Sequence, residues 1–168
     1  MKKNYLFCLL LLGNFVCLFA EANPNSEMQN SVLVVEQAYI RATIPGTSIS
    51  SAYMEIENKG KETVTLLSAN SDISPRIEIH QHTMSDGMMR MRRVNSIDIK
   101  AKERVKLQPS GLHLMVFDVK NPLKAQQHVE VTLNFSNNES VTIPIPVYSP
   151  IQEQAAKKSV STMHEHHH

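Results

Sequence analysis

The chain has 168 residues, of which 17 are Lys or Arg and 16 are Asp or Glu, so its formal net charge is +1 at pH 7. This length corresponds to one domain with short flanking segments. The charges are mixed along the sequence without a basic run, so the composition does not favour a nucleic-acid-binding protein.

The first 22 residues have the pattern of a secretory signal peptide. Lys2 and Lys3 precede a mainly apolar run over residues 5–19, and Ala20-Glu21-Ala22 supplies small residues for a cleavage site. The run is short for a transmembrane span of about 20 residues, and no basic stop-transfer segment follows it. We therefore expect cleavage after Ala22 and export to the periplasm.

Both cysteines of the sequence, Cys8 and Cys17, lie in this predicted signal peptide. Cys17 lacks the Leu-Ala-Gly context of a lipoprotein site, so we expect no lipid anchor. A chain cleaved after Ala22 has no disulfide, no thiol nucleophile, and no cysteine ligand for zinc or blue copper. It also has equal numbers of basic and acidic residues.

The remaining sequence predicts a disordered polar lead over residues 23–31 and an all-β domain over residues 32–150. Short runs of β-branched and apolar residues alternate with turn clusters at the spacing of a Greek-key sandwich or barrel. Asn137-Asn138 predicts a hairpin turn. Pro144 and Pro146 indicate that the last strand lies at a sheet edge, because proline cannot donate a ladder hydrogen bond.

Two predicted strands carry histidine and methionine on the face opposite their aliphatic residues. His80 follows Ile77-Glu78-Ile79, so it points out of the core if the isoleucines point in. Ser85-Asp86-Gly87 is a turn signal that can place His80 and Met91 on opposite arms of one hairpin.

A second pair of the same residue types lies at 113 and 115. His113 and Met115 alternate with three aliphatic residues, so they share one face about 7 Å apart, and we expect both to be exposed to solvent. Imidazole and thioether groups together are ligands for a soft ion such as Cu(I). Met88, Met89 and Met91 are also compatible with a flexible apolar loop that binds no metal.

The four residues form the pattern His-x10-Met-x21-His-x-Met, which resembles the signature of the periplasmic PCu(A)C copper chaperones. The resemblance covers residues 33–148 and implies a cupredoxin-like Greek-key β-barrel. It also implies that His80, Met91, His113 and Met115 bind Cu(I) for cytochrome c oxidase assembly. The acceptor would be an oxidase subunit or a thioredoxin-like copper chaperone.

We expect a monomer without catalytic activity. The alternatives are a periplasmic copper storage or scavenging protein, and a metal-free secreted β-sandwich that acts as a binding module. One departure from the family is Ser110-Gly111, where Gly-Gly is frequent.

Two further groups of histidine and methionine are weaker candidates. His82 and Met84 lie in a predicted loop beside the motif, where we favour solvated side chains over auxiliary ligands. Residues 151–168 predict a flexible polar tail that is either native or the remnant of an expression tag, and we favour a native tail. Its end is a possible secondary site for Cu(II), formed by Met163, His164, His166, His167 and His168.

Overall fold

The computed structural model describes residues 32–85 and 87–156, and within them it confirms the predicted all-β class. The strands are β1 (Leu33–Arg41), β2 (Ser50–Asn58), β3 (Val64–Asn70), β4 (Arg76–Ser85), β5 (Met88–Arg93), β6 (Ile97–Ile99), β7 (Arg104–Leu107), β8 (Leu112–Phe117), β9 (His128–Phe135) and β10 (Ser140–Tyr148). Residues 150–156 form a short helix, α1.

The strands follow one continuous hydrogen-bonded order, β5-β4-β8-β7-β2-β1-β10-β9-β3-β6. The order divides into two groups, β5-β4-β8-β7-β2-β1 and β10-β9-β3-β6, which are joined by the parallel pairing of β1 with β10. Strand β2 pairs with both β7 and β8. The strands that carry the four predicted ligands are therefore neighbours at one end of the order.

The core is built from alternate residues of the strands, as a half-buried strand requires. In β9, Val131, Leu133 and Phe135 are buried, and Leu133 is fully so. Replacing a fully buried leucine such as Leu133 with alanine costs about 2–5 kcal/mol. The predicted hairpin between β9 and β10 is present, and Asn138 has a φ of 62° in its turn.

Strand β10 is not at a sheet edge, so the prediction from its prolines is wrong for the strand as a whole. It lies between β9 and β1. Its pairing with β1 includes only Val147 and Tyr148, however. Pro144 and Pro146 pair with β9 on one side and precede the contact with β1, so no ladder bond to β1 is lost there.

Helix α1 occupies the start of the segment for which the sequence predicts a flexible tail. Its Glu153 is buried and accepts two hydrogen bonds from Arg41, with N–O distances of 2.8 and 2.6 Å. The hydroxyl of Tyr39 donates to the same carboxylate at 3.3 Å. These contacts anchor α1 on β1.

The predicted signal peptide, the polar lead and the secondary site at Met163, His164, His166, His167 and His168 lie outside the described residues. The helical part of the described chain is too short and too polar to span a membrane.

Candidate metal centre

His80 and His113 are direct cross-strand neighbours on β4 and β8. Alternation places them on the face opposite Ile79 and Leu114, both of which are buried in the core. The centres of the two imidazole rings are 6.0 Å apart. Metal–imidazole bonds of about 2.0 Å allow the ring centres of two ligands on one ion to lie up to about 6.4 Å apart. The pair is therefore spaced to share a metal.

His113 is more buried than the sequence predicts. Only 2% of its surface is exposed, so the expectation of a solvent-exposed side chain is wrong. The rings of Tyr53, His80 and His82 surround it, at centroid distances of 6.2, 6.0 and 5.1 Å. Burial lowers the pKa of His113, which favours the neutral imidazole that can bind a metal.

His80 and His113 each use one ring nitrogen for a hydrogen bond to the protein. Nδ1 of His113 lies 3.1 Å from the carbonyl oxygen of Gly111, which can only accept, so Nδ1 carries the proton and Nε2 keeps its lone pair. Nε2 of His80 lies 2.9 Å from a carboxylate oxygen of Glu78 and donates to it. Nδ1 of His80 is then the nitrogen with a lone pair. This atom is buried and has no hydrogen-bond partner among the described residues.

A metal-binding histidine usually donates its other ring N–H to a carboxylate or a backbone carbonyl. Both arrangements are present here, with Glu78 and Gly111 as the acceptors. The hydrogen bond from His80 lowers the pKa of Glu78, which keeps this carboxylate ionised as an acceptor. Arg76 and Arg93 lie 3.5 and 3.7 Å from the same carboxylate.

The two predicted thioether ligands lie on either side of the histidine pair. Met115 is half-buried on β8, and the hydroxyl of Ser51 lies 3.6 Å from its Sδ. Met91 is 46% exposed on β5. Its direct cross-strand partner is His82, whereas Arg93 lies opposite His80. The structure thus brings His80 and His113 together and places both methionines on the same sheet face nearby.

The prediction of a loop around His82 and Met84 is wrong, because β4 continues to Ser85. His82 lies opposite Met91, and its ring is closer to that of His113 than the ring of His80 is. Nδ1 of His82 is also buried without a hydrogen-bond partner among the described residues. The sequence signal for this position is its spacing of two residues from His80, which places both on one strand face.

His, Cys, Asp and Glu side chains alone do not form a metal site in the described part of the chain. No three His, Cys, Asp or Glu side chains there are grouped so that they could hold an ion. A metal held at His80 and His113 would therefore need ligands of another type, and the thioethers of Met91 and Met115 are the predicted ones. A cleft of about 740 Å³ is bordered by Tyr39, Tyr53 and Glu153, and none of the four predicted ligands lines it. The histidine–methionine group instead lies on the outer face of the sheet, with His113 buried and Met91 exposed.

Comparison with known proteins places the chain among related sequences and folds. The family model described as "Putative lipoprotein LpqE-like" matches residues 33–147. The "Putative lipoprotein Lxx21020" of Leifsonia xyli subsp. xyli (strain CTCB07) is 29% identical over 138 residues, which cover 82% of this chain and 81% of that protein.

Two solved structures have a fold similar to that of this chain. The solution structure of Cu(I)-DR1885 from Deinococcus radiodurans has a TM-score of 0.60 at 28% identity, covering 80% of this chain and 85% of that one. The copper-bound PCuAC domain from PmoF2 has a TM-score of 0.62 at 22% identity, covering 71% and 95%. The resemblance to PCu(A)C proteins and the cupredoxin-like Greek-key fold are confirmed.

Proposed function

The chain belongs to the LpqE-like family, and we propose that it is a periplasmic copper chaperone that binds Cu(I) and passes it to an acceptor protein. The inner centre consists of His80, Met91, His113 and Met115. The observation that carries the proposal is the state of the two histidines. Each donates one ring N–H to the protein and keeps a lone pair at the other nitrogen, on a surface that also carries two thioethers.

The donor set favours Cu(I) over harder ions. Thioether sulfur is a soft ligand that suits Cu(I), and imidazole adds affinity without bringing a negative charge. Zn(II) sites usually use four Cys, His or carboxylate ligands, and the described residues offer no such group. Two similar structures support copper as the ion: Cu(I)-DR1885 contains Cu(I), and the PCuAC domain from PmoF2 is copper-bound.

The position of the centre is suited to transfer. Met91 is 46% exposed at the sheet surface, so a partner's ligand can replace its thioether without unfolding the domain. Because all four side chains are neutral ligands, a thiolate of the acceptor can compete with each in turn. We infer a non-catalytic carrier, because this exchange makes and breaks coordination bonds only.

The acceptor we propose is a copper site of cytochrome c oxidase, reached directly or through a thioredoxin-like copper chaperone. The support is the His-x10-Met-x21-His-x-Met spacing, which this chain shares with the PCu(A)C family. Export rests on the predicted signal peptide over residues 1–22, and the lipoprotein names of the relatives support an exported protein. We propose that the carrier acts as a monomer.

The proposal is tested by titrating Cu(I) anaerobically into a protein that ends at Ala156, in competition with a chromogenic Cu(I) chelator. This boundary keeps α1 and the contacts of Glu153. We expect one tightly bound Cu(I) and little affinity for Zn(II). Replacing Met91 and Met115 with leucine, which has a similar shape, should preserve folding and weaken Cu(I) binding severely. Unchanged binding in this double variant would contradict the assigned centre.

A transfer experiment separates a chaperone from a storage protein. The loaded protein is mixed with the apo form of the soluble copper domain of an oxidase subunit, and the copper content of each is measured after separation. A chaperone transfers copper to the acceptor faster than copper could first dissociate into solution and then bind to the acceptor. A storage or scavenging protein shows transfer only at the rate of spontaneous release.

The C-terminal segment supports a second proposal, a Cu(II) site formed by Met163, His164, His166, His167 and His168. Neutral imidazoles close together in sequence are good Cu(II) ligands. Cu(II) binding to the full chain should therefore weaken as the pH falls through about 6.5, the ordinary imidazole value. Truncation after Ala156 should remove this binding and leave one Cu(I) per domain. Retention of all Cu(II) binding by the truncated protein would rule the tail out.

A further inference from the structure

The outer part of the β4–β5 hairpin carries methionines that the inner centre does not use. Met84 and Met89 are direct cross-strand partners, and they are 68% and 58% exposed. The next cross-strand pair on the same face is His82 and Met91. Because strand side chains alternate between faces, these four residues share the face that also presents His80.

Soft donor atoms therefore follow one another along the hairpin without interruption. Directly opposite residues have Cβ atoms about 4.5–5.5 Å apart, and successive pairs on one face are about 7 Å apart. Long methionine side chains can bridge such steps. The series ends at the inner centre, because the ring of His82 lies 5.1 Å from that of His113.

Packing does not explain these side chains. Methionine is usually buried, and an apolar residue on an edge strand promotes unwanted pairing between sheets. Strand β5 is an edge strand and all of its residues are exposed. A second observation points to a ligand: Nδ1 of His82 is buried and has no hydrogen-bond partner among the described residues.

We propose that His82, Met84 and Met89 form an outer, weaker Cu(I) site through which the ion enters and leaves the inner centre. The identity of the ion rests on the proposed function. The transfer is ligand exchange at constant oxidation state: a bond from Met89 or Met84 is replaced by one from Met91, the ligand of the inner centre that lies opposite His82. The outer site is weaker because its exposed side chains lose conformational freedom when they bind and because it has one imidazole.

The chain offers a matched control at Met88. This residue is 55% exposed, close to the 58% of Met89, and lies on the same strand. Its cross-strand partner is Ser85, so alternation places it on the opposite face from Met89 and Met91. Met88→Leu removes one exposed thioether from the same hairpin without touching the proposed outer site.

The experiment compares the full chain with two variants, Met88→Leu and the double variant Met84→Leu/Met89→Leu. Cu(I) is titrated anaerobically against a weak and then a strong Cu(I) chelator, and release to the strong chelator is followed by stopped flow. All three proteins keep the same C-terminal segment, so a difference between them reports on the hairpin. Circular dichroism checks that each is folded.

Against the weak chelator we expect the double variant to hold one Cu(I) fewer than the parent and Met88→Leu. Against the strong chelator all three should hold the inner Cu(I), and the double variant should release it several-fold more slowly. Equal copper content and equal release rates in all three would overturn the outer site, as would equal losses in both variants. Failure of the proposed function gives a different result, namely no tightly held Cu(I) in the parent.

Discussion

The outer face of the β4-β8-β7-β2 region has two ends with opposite chemistry. At the β2–β7 end, Arg104 lies 2.6 Å from Glu36, 3.0 Å from Glu55 and 2.7 Å from Glu57, and Lys106 lies 2.7 Å from Glu55. Each of these charges has an opposite charge within contact distance. At the β4–β8 end, buried ring nitrogens of two histidines have no hydrogen-bond partner among the described residues.

The difference separates a structural surface from a binding surface. A buried polar atom without a hydrogen-bond partner costs about 1–3 kcal/mol of folding free energy. Such an atom is therefore expected where another interaction, such as ligand binding, offsets this cost. The charged end needs nothing further, since its groups satisfy one another. At the other end, the ring N–H groups of His80 and His113 are satisfied by Glu78 and Gly111, and the second ring nitrogen of each keeps its lone pair. This is the arrangement that a metal ion completes.

The largest expected effect comes from removing a histidine of the inner centre. Changing the hydrogen-bond partner of a metal ligand typically costs 10–100-fold in affinity, so loss of the ligand itself in His113→Asn should weaken Cu(I) binding by more than about 100-fold. Chelator competition measures this. If Cu(I) affinity stays within a few-fold of the parent, the distinction between the two ends fails.

A smaller effect is expected from Glu78→Gln. The carboxylate of Glu78 can only accept a hydrogen bond from Nε2 of His80, whereas the amide of glutamine can also donate one. The substitution therefore no longer fixes the free lone pair at Nδ1. We expect Cu(I) affinity to fall about 10–100-fold with one copper still bound. Isothermal titration with a competing chelator gives the value. Affinity equal to that of the parent would show that the 2.9 Å contact does not position the ring.

The stability of the apo protein should depend on pH through His113. Burial lowers the pKa of His113 in the folded state, so below the ordinary value of about 6.5 the unfolded chain binds more protons than the folded one. Stability therefore decreases as the pH falls through about 6.5 toward the lower folded pKa. Urea unfolding at several pH values should show a shallower decrease for His113→Asn than for the parent. An identical decrease would argue against the buried, neutral histidine.

The smallest effect on copper is expected at the charged end. Arg104→Gln removes three ion-pair contacts but no ligand. Surface ion pairs contribute little to stability, and the buried partner, Glu55, keeps Lys106 at 2.7 Å. Cu(I) affinity should stay the same, and the melting temperature should fall slightly at low salt and less at high salt. A marked loss of copper binding in this variant would mean that the two ends are coupled.

Strand alternation explains how much of the centre was predictable. The spacing of His80 from the isoleucines, and of His113 and Met115 from the leucines, correctly placed these residues on the face opposite the core. Burial of His113 was not predictable, because it depends on the ring of Tyr53, which β2 brings from a distant part of the sequence. The extension of β4 through His82 also depends on its pairing with β5.

Long-range contacts also explain the errors in the fold. Helix α1 lies in a polar segment, and the interaction that anchors it joins Glu153 to Arg41, 112 residues away. The position of β10 depends on two residue pairs with β1, Val147 with Ile40 and Tyr148 with Arg41, which local sequence does not encode.

Nitrogen NMR of the imidazoles tests the free lone pairs most directly. In the apo protein labelled at its histidine ring nitrogens, Nε2 of His80 and Nδ1 of His113 should carry the proton. On addition of one equivalent of Cu(I), the resonances of Nδ1 of His80 and Nε2 of His113 should shift strongly while the protonated nitrogens stay protonated. A shift confined to histidines outside the hairpin and β8, with these two nitrogens unchanged, would contradict the assigned centre.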